Sequence, residues 1–131
     1  MRHAITTATL LVLLQLTPVW AHHSGAIWDQ SKTLTLSGTV REFQWTNPHC
    51  WIQLLVPAGD VTGSSTQEWS IEMASPIQVL QGGWKPGTVK AGDLVQVTLH
   101  PARDGRHAGN FISAVAADGK SLGKSQREQG P

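Results

Sequence analysis

The chain contains little that could stabilise a small domain covalently. Cys50 is the single cysteine among 131 residues, so an internal disulfide is excluded and the fold must be held together by packing. We expect Cys50 to be buried as a small hydrophobe. The sequence also has no Cys-x-x-Cys pair, phosphate-binding loop or dinucleotide fingerprint, so it offers no motif for thiol exchange or nucleotide chemistry.

The sequence also lacks an excess of charge of either sign. The 10 Lys and Arg residues face 9 Asp and Glu, which gives a formal net charge of +1. Nucleic-acid binding depends on a clustered basic surface, so nucleic acid is not an expected partner.

Catalytic patterns are scarce as well. The carboxylates of Asp29, Glu42, Glu68 and Glu72 are not spaced as an acid–base pair, and the serines show no nucleophile elbow. Because Glu72 alternates with apolar residues, we expect it to face solvent or the mouth of a barrel. The sequence therefore favours a non-catalytic protein, with a copper oxidoreductase as a remote alternative.

Long apolar runs are absent except at the start of the chain. A basic start at Arg2 and His3 precedes an apolar run from Ala4 to Leu16, shorter than the roughly 20 residues of a membrane span. In Val19-Trp20-Ala21, the small residues Val19 and Ala21 occupy the two positions that signal peptidase recognises. We predict a signal peptide at 1–21, a periplasmic or secreted protein and no membrane span after cleavage; an uncleaved anchor is the alternative.

The remaining chain predicts one β-rich domain. Apolar alternation indicates strands at 32–44, 50–56, 69–74, 95–99 and 111–116. Gly38 suggests a bend or bulge in the first strand. A short helix is expected after the Ser75 cap and Pro76, with Ile77, Leu80 and Trp84 on one face. We assign 22–122 to the domain and 123–131 to a disordered tail.

The order β-β-β-α-β-β is that of an all-β fold with one short helix, a five-stranded OB-type barrel. A small open β-sandwich is the alternative. In the barrel, one set of apolar strand residues should point inward: Leu34, Leu36, Val40, Ile71, Val95 and Val97.

Cleavage after Ala21 would create a new amino terminus with metal-binding chemistry. His22 would then carry a free amine and an imidazole, both of which lose their protons at mild pH and can chelate one ion. Such nitrogen ligands suit copper(II), with nickel and zinc behind it. His23 is an adjacent ligand, and a third imidazole could come from His49, His100 or His107. The alternative is that the two histidines simply begin a solvated end.

Tryptophan is the second unusual feature, because there are six and tyrosine is absent. Trp69 and Trp84 are expected in the core. Trp45 and Trp51 flank a loop that contains Asn47 and His49, and such loops frame the binding face of an OB-type barrel. Trp45, Asn47 and Trp51 are therefore candidate ligand-binding residues.

Several motifs in a fixed order resemble a bacterial family of short exported proteins, domain of unknown function 6152. They are Ala21–Ser24, Gly38–Val40, Trp45–His49, Trp69–Pro76 and Gly83-Trp84. Members often carry arginines before the Gly-Trp pair, where this chain has Gln81-Gly82, so no charged role is expected there. The resemblance implies roles for His22, His23, Asn47 and His49 more than for His100 and His107, and favours His49 as the third imidazole.

Two functional readings follow. The main one is that the chain is a periplasmic protein that binds a small ligand or a metal ion, with copper as the first candidate. The mature amino terminus and the Asn47-Pro48-His49 loop would hold that ligand. The other is a metal-free interaction module whose Trp45 and Trp51 bind a partner protein or a cell-envelope saccharide. The sequence does not decide the oligomeric state.

The exported protein should begin at His22. Intact-mass spectrometry of periplasmic material would show this start directly. A retained Met1, or a start beyond Ser24, would contradict the amino-terminal metal hypothesis.

Overall fold

The chain forms a β-rich domain with one short helix. The structure is a computed structural model that describes residues 26–59 and 65–125. Within these ranges the elements are β1 Leu34–Gln44, β2 Trp51–Pro57, β3 Thr66–Glu72, α1 Pro76–Gln81, β4 Leu94–Pro101, β5 Ala108–Ala116 and β6 Ser121–Lys124. No helix in these ranges is long and apolar enough to cross a membrane.

A parallel pairing between β3 and β5 closes the sheet. The strands lie in the order β3-β2-β1-β4-β5-β6, and their neighbouring pairs are antiparallel. The ring closes where Ser70 pairs with Ala108, Ile71 with Gly109 and Glu72 with Asn110. The predicted five-strand barrel of OB-type order is therefore confirmed, in place of an open sandwich.

Alternate strand residues fill the barrel, as predicted. Val40, Ile71, Val95 and Val97 are buried and Leu36 packs against them. Leu34 is the exception, with 37% of its surface exposed. Leu34 pairs with β4 at a point on β1 where β2 is not paired with β1. One side of the Leu34 side chain is therefore exposed to solvent.

Cys50 is fully buried in this core, as expected. Burial raises the pKa of its thiol, because the thiolate is poorly solvated inside an apolar core. Cys50 thus acts in packing rather than as an exposed nucleophile.

The irregularity of β1 lies three residues from its predicted position. The register with β2 shifts between Val40 and Glu42, which places the bulge at Arg41 rather than at Gly38. Gly38 has a different role, since a Cβ at this position would overlap the Leu55 carbonyl oxygen. The glycine permits a close approach of two backbones.

The helix begins where predicted but uses another face. Ser75 precedes Pro76, and its backbone N–H donates to Gln78 Oε1 at 3.4 Å. Val79 is the buried helix residue, while Ile77 and Leu80 are exposed. The predicted Ile77–Leu80 face is therefore wrong. Only one narrow face of so short a helix contacts the core. Trp84 lies beyond the end of the helix, and its backbone N–H donates to the Val79 carbonyl oxygen.

A short sixth strand extends the ordered domain. β6 pairs with β5 and continues through Lys124, two residues beyond the predicted boundary at Leu122. It packs on the core through Gly123, where a Cβ would overlap the Trp84 indole. Four residues with two glycine or serine positions carry no alternation strong enough to predict a strand. Residues 126–131 of the predicted tail lie outside the described ranges.

Replacing Ile71 by alanine should lower the free energy of unfolding by about 2–5 kcal/mol, because its buried side chain would leave a cavity. Ile77→Ala is the matched control, since Ile77 is 62% exposed and its truncation should cost less than about 1 kcal/mol. Urea unfolding followed by tryptophan fluorescence measures both. Equal losses would contradict the assigned core.

Candidate metal centre

The loop between β1 and β2 fixes the backbone of His49 at the end of β3. Thr46 Oγ1 donates to the His49 carbonyl oxygen at 2.9 Å, and the Asn47–Pro48 peptide bond is cis. The following residue is tied to the chain after β3, because Cys50 N donates to Ala74 O and Met73 N donates to Cys50 O. His49 is thus held beside Glu72, the last residue of β3.

His49 and Glu72 form a direct contact. Nδ1 of the imidazole meets Oε1 of the carboxylate, and Glu72 is 6% exposed. The side chain of His49 is 35% exposed. Burial of a carboxylate is costly without a partner, so the imidazole compensates for the burial of Glu72.

The burial of Glu72 corrects the expectation that it faces solvent. Glu72 is on the outer face of the barrel, because the alternate residue Ile71 points inward. Its cover comes in part from the His49 loop, which a strand pattern alone does not reveal. The one available sequence signal was its position within the Trp69–Pro76 motif.

A row of polar residues continues across the barrel from Glu72. Asn110 is its partner on β5 and donates from Nδ2 to the Glu72 carbonyl oxygen at 3.3 Å. His100 is the partner of Asn110 on β4, and its Nδ1 lies 2.8 Å from Lys32 O. His100 is therefore separated from Glu72 by a whole strand.

The structure does not bring the predicted histidines together within its described ranges. The His107 ring stacks on Trp69, with centroids 5.1 Å apart. Residues 26–59 and 65–125 contain no group of three or more His, Cys, Asp and Glu side chains that could hold a metal ion. His22 and His23 lie outside those ranges. Any site at His49 must be completed by ligands from elsewhere in the chain or from solvent.

The two loop-flanking tryptophans occupy different faces of the sheet. Trp45 packs against the main core and meets Phe43 edge to face at 5.8 Å. Trp51 pairs with Glu72 and alternates with the buried Ile52, so it lies on the outer face. Asn47 is exposed in the loop between them. The three proposed ligand-binding residues therefore do not form one surface.

Residues 27–32, here called the strap, dock on the loop between β4 and β5. Asp29 N donates to Pro101 O at 2.8 Å, and Arg103 N donates to Ile27 O at 2.9 Å. Trp28 is 3% exposed and packs with Ala102 and Ala108. The Trp28 ring is thus docked against the domain, whereas Ile27 remains exposed.

Charged side chains contact the strap at Trp28 and at Asp29. The guanidinium of Arg106 lies 5.9 Å from the ring centroid of Trp28, within range of a cation–π interaction. Ser31 Oγ donates to the Asp29 carboxylate at 2.6 Å, and this hydrogen bond lowers the pKa of Asp29. Lys32 and Arg103 approach the same carboxylate.

Comparison with known proteins gives a family but no function. The family model described as "Family of unknown function (DUF6152)" matches residues 11–111. Since this is more than half of the chain, the protein belongs to that family. No curated protein matches the chain, and no solved structure does.

The two tryptophans should respond differently to truncation. Trp45→Ala should lower the free energy of unfolding by about 2 kcal/mol or more, because its ring is partly buried against the core. Trp51→Ala removes an outer-face ring and should cost less. Chemical denaturation of both variants tests this difference, and a larger loss for Trp51 would contradict the assignment of faces.

Proposed function

We propose that this member of a family of unknown function is a periplasmic, non-catalytic copper-binding protein. Its ligands would be His49 together with the amine and imidazole of His22 after removal of residues 1–21, with His23 as an alternative ligand. The observation that carries the proposal is the contact between His49 Nδ1 and the buried carboxylate of Glu72.

This contact is the outer-shell arrangement common in metal sites. A metal-bound histidine almost always donates its other ring N–H to a carboxylate, carbonyl or water, which orients the ring and makes the ligating nitrogen more basic. In His49, Nδ1 faces Glu72, and Nε2 has no hydrogen-bond partner within the described ranges. The imidazole is also partly exposed, so an ion can reach it.

The chemistry of the remaining ligands supports copper over harder cations. The amine and imidazole of a mature His22 supply two nitrogen donors on one residue, and His49 would supply a third. Nitrogen donors with tetragonal geometry suit copper(II) best among the divalent first-row metals. Glu72 would place a negative charge close to the cation without having to ligate it.

The proposal sets a condition on the chain before Ile27. Six residues of extended backbone reach at most about 20 Å, and the straight-line separation of Trp28 from Glu72 is about 16 Å, from about 14 Å across three strand spacings and about 7 Å along β3. Because Ile27 O bonds to Arg103 N, the proposal requires the chain before Ile27 to turn back toward β3.

The metal-free alternative is less well supported. A shared grip by Trp45 and Trp51 on a saccharide or partner protein needs both rings on one surface, and the two lie on opposite faces of the sheet. Trp51 remains available on the outer face beside Glu72.

Copper(II) binding by the cleaved, tag-free protein should weaken at least about tenfold in His22→Ala, in His49→Ala and in a variant with one extra residue before His22. Tenfold corresponds to about 1.4 kcal/mol. Glu72→Gln should weaken it about 10- to 100-fold, the usual effect of losing an outer-shell carboxylate. Competition titration with a copper chelator gives each affinity.

His107→Gln is the matched control, because His107 stacks on Trp69 rather than on Glu72. Its copper affinity should equal that of the unaltered protein. Equal copper affinity in all of these variants and in the unaltered protein would contradict the proposal.

A further inference from the structure

We propose that the outer face of β1, β2 and β3 carries a site, centred on Trp51, for one unit of a neutral, gluco-configured saccharide. The site goes beyond the proposed copper binding and does not depend on it. It uses Trp51 without Trp45, whose ring packs against the core. The observation that carries it is a set of side-chain amides and carboxylates in register around a half-buried indole.

The pairing of the strands places the first row of these groups. Trp51 pairs with Gln44 on β1 and with Glu72 on β3, and Glu72 pairs in turn with Asn110 on β5. Cross-strand partners share a face of the sheet. The indole is therefore flanked on the outer face by an amide on one side and a carboxylate on the other.

A second row lies two residues further along β2. Gln53 alternates with the buried Ile52 and Leu54, so its side chain points to the outer face. Its partners are Glu42 on β1 and Ser70 on β3. At normal sheet spacing, partners within a row lie about 5 Å apart and the two rows about 7 Å apart. The face thus spaces its polar groups on the scale of a single pyranose unit with its hydroxyls.

Gln53 is the group that points most directly to a ligand. It is 8% exposed, and its Oε1 accepts a hydrogen bond from Ser70 Oγ at 2.7 Å. Its Nε2 has no hydrogen-bond partner within residues 26–59 and 65–125. Among those residues, the side-chain polar atom that is both fully buried and unpartnered is Trp84 Nε1, so Gln53 Nε2 retains contact with the surface. Because buried polar groups are almost always hydrogen-bonded, this amide is suited to an acceptor from outside the chain.

The chemistry of the face fits a sugar hydroxyl array. A gluco-configured pyranose presents C–H groups on its two faces and hydroxyls around its rim. The Trp51 indole offers an apolar surface for the first, and amides and carboxylates offer donors and acceptors for the second. Site residues of aromatic rings with a few placed polar groups are typical of small-ligand sites.

The charges of the same face favour a neutral ligand over an anionic one. Glu42 and Glu72 both lie on it. The guanidinium of Arg41 contacts the carboxylates of Glu42 and Glu68, at 3.7 and 2.9 Å, so its charge is already compensated. An acidic saccharide would therefore meet uncompensated repulsion from Glu72 and its neighbours.

The test titrates the protein with cellohexaose in the presence of EDTA and follows the tryptophan indole N–H signals by two-dimensional NMR. The Trp51 signal, identified by its loss in Trp51→Phe, should shift saturably. The Trp84 signal is the internal reference, because its Nε1 is fully buried and it should not move. A hexamer of galacturonic acid, which is anionic, should bind more weakly than cellohexaose.

Two variants test the assignment of the residues. Trp51→Ala should weaken cellohexaose binding at least about tenfold, as truncation of a central aromatic contact generally does. Gln53→Met keeps the volume of the side chain but removes the amide, and should weaken binding about 2- to 10-fold. Gln96→Met is the matched control, because Gln96 is an exposed glutamine on β4, and it should bind as the unaltered protein does.

Three results would overturn the inference: no saturable shift of the Trp51 signal, equal cellohexaose affinity in Trp51→Ala, or tighter binding of the galacturonic acid hexamer. The variants leave His49 and Glu72 in place, so the copper affinity of Gln53→Met should equal that of the unaltered protein. Failure of saccharide binding therefore leaves the copper proposal standing, and loss of copper binding in His49→Ala leaves this one standing.

Discussion

The parallel pairing of β3 with β5 is the constraint on which the rest of the structure depends. It turns an open sheet into a barrel, and it does so at Ser70–Glu72, the residues nearest the candidate site. The same pairing sets Asn110 beside Glu72 and brings the loop between β4 and β5 against β3 at Ser70, whose backbone N–H donates to the His107 carbonyl oxygen. That loop in turn carries the strap. Closure, the buried carboxylate and the docking of the amino-terminal segment are therefore parts of one arrangement.

Aromatic packing stabilises the core in the absence of a disulfide bond, which a single cysteine cannot form within the chain. Phe43, Trp84 and Phe111 form a continuous series of ring contacts at 5.6 and 5.4 Å, and Trp45 extends it at 5.8 Å. Within the described ranges, Trp84 Nε1 is buried without a hydrogen-bond partner. An unpaired N–H costs about 1–3 kcal/mol, so Trp84 contributes through the burial of its large ring.

The sequence predicted those parts of the fold that depend on local pattern. Alternation identified the strands that enclose Ile71 and Val97, and Ser75-Pro76 marked the helix start. It did not predict β6, because four residues carry too little alternation, or the bulge at Arg41, which depends on the register between β1 and β2. The site follows the same division. His49 came from its motif, whereas its contact with Glu72 requires the loop to fold over β3, and no spacing along the chain encodes that approach.

The burial of Glu72 bears on what the barrel is for. A carboxylate on the outer face of a sheet would be solvated at little cost if the His49 loop were elsewhere, so stability alone does not require the contact. Burying a charged or hydrogen-bonded pair is often no more stabilising than apolar packing of the same volume. What the contact does provide is a fixed orientation of a partly exposed imidazole, and orientation matters for a ligand more than for a core. Under the proposed function, the enclosure of Glu72 serves the presentation of His49 as a ligand rather than the folding of β3.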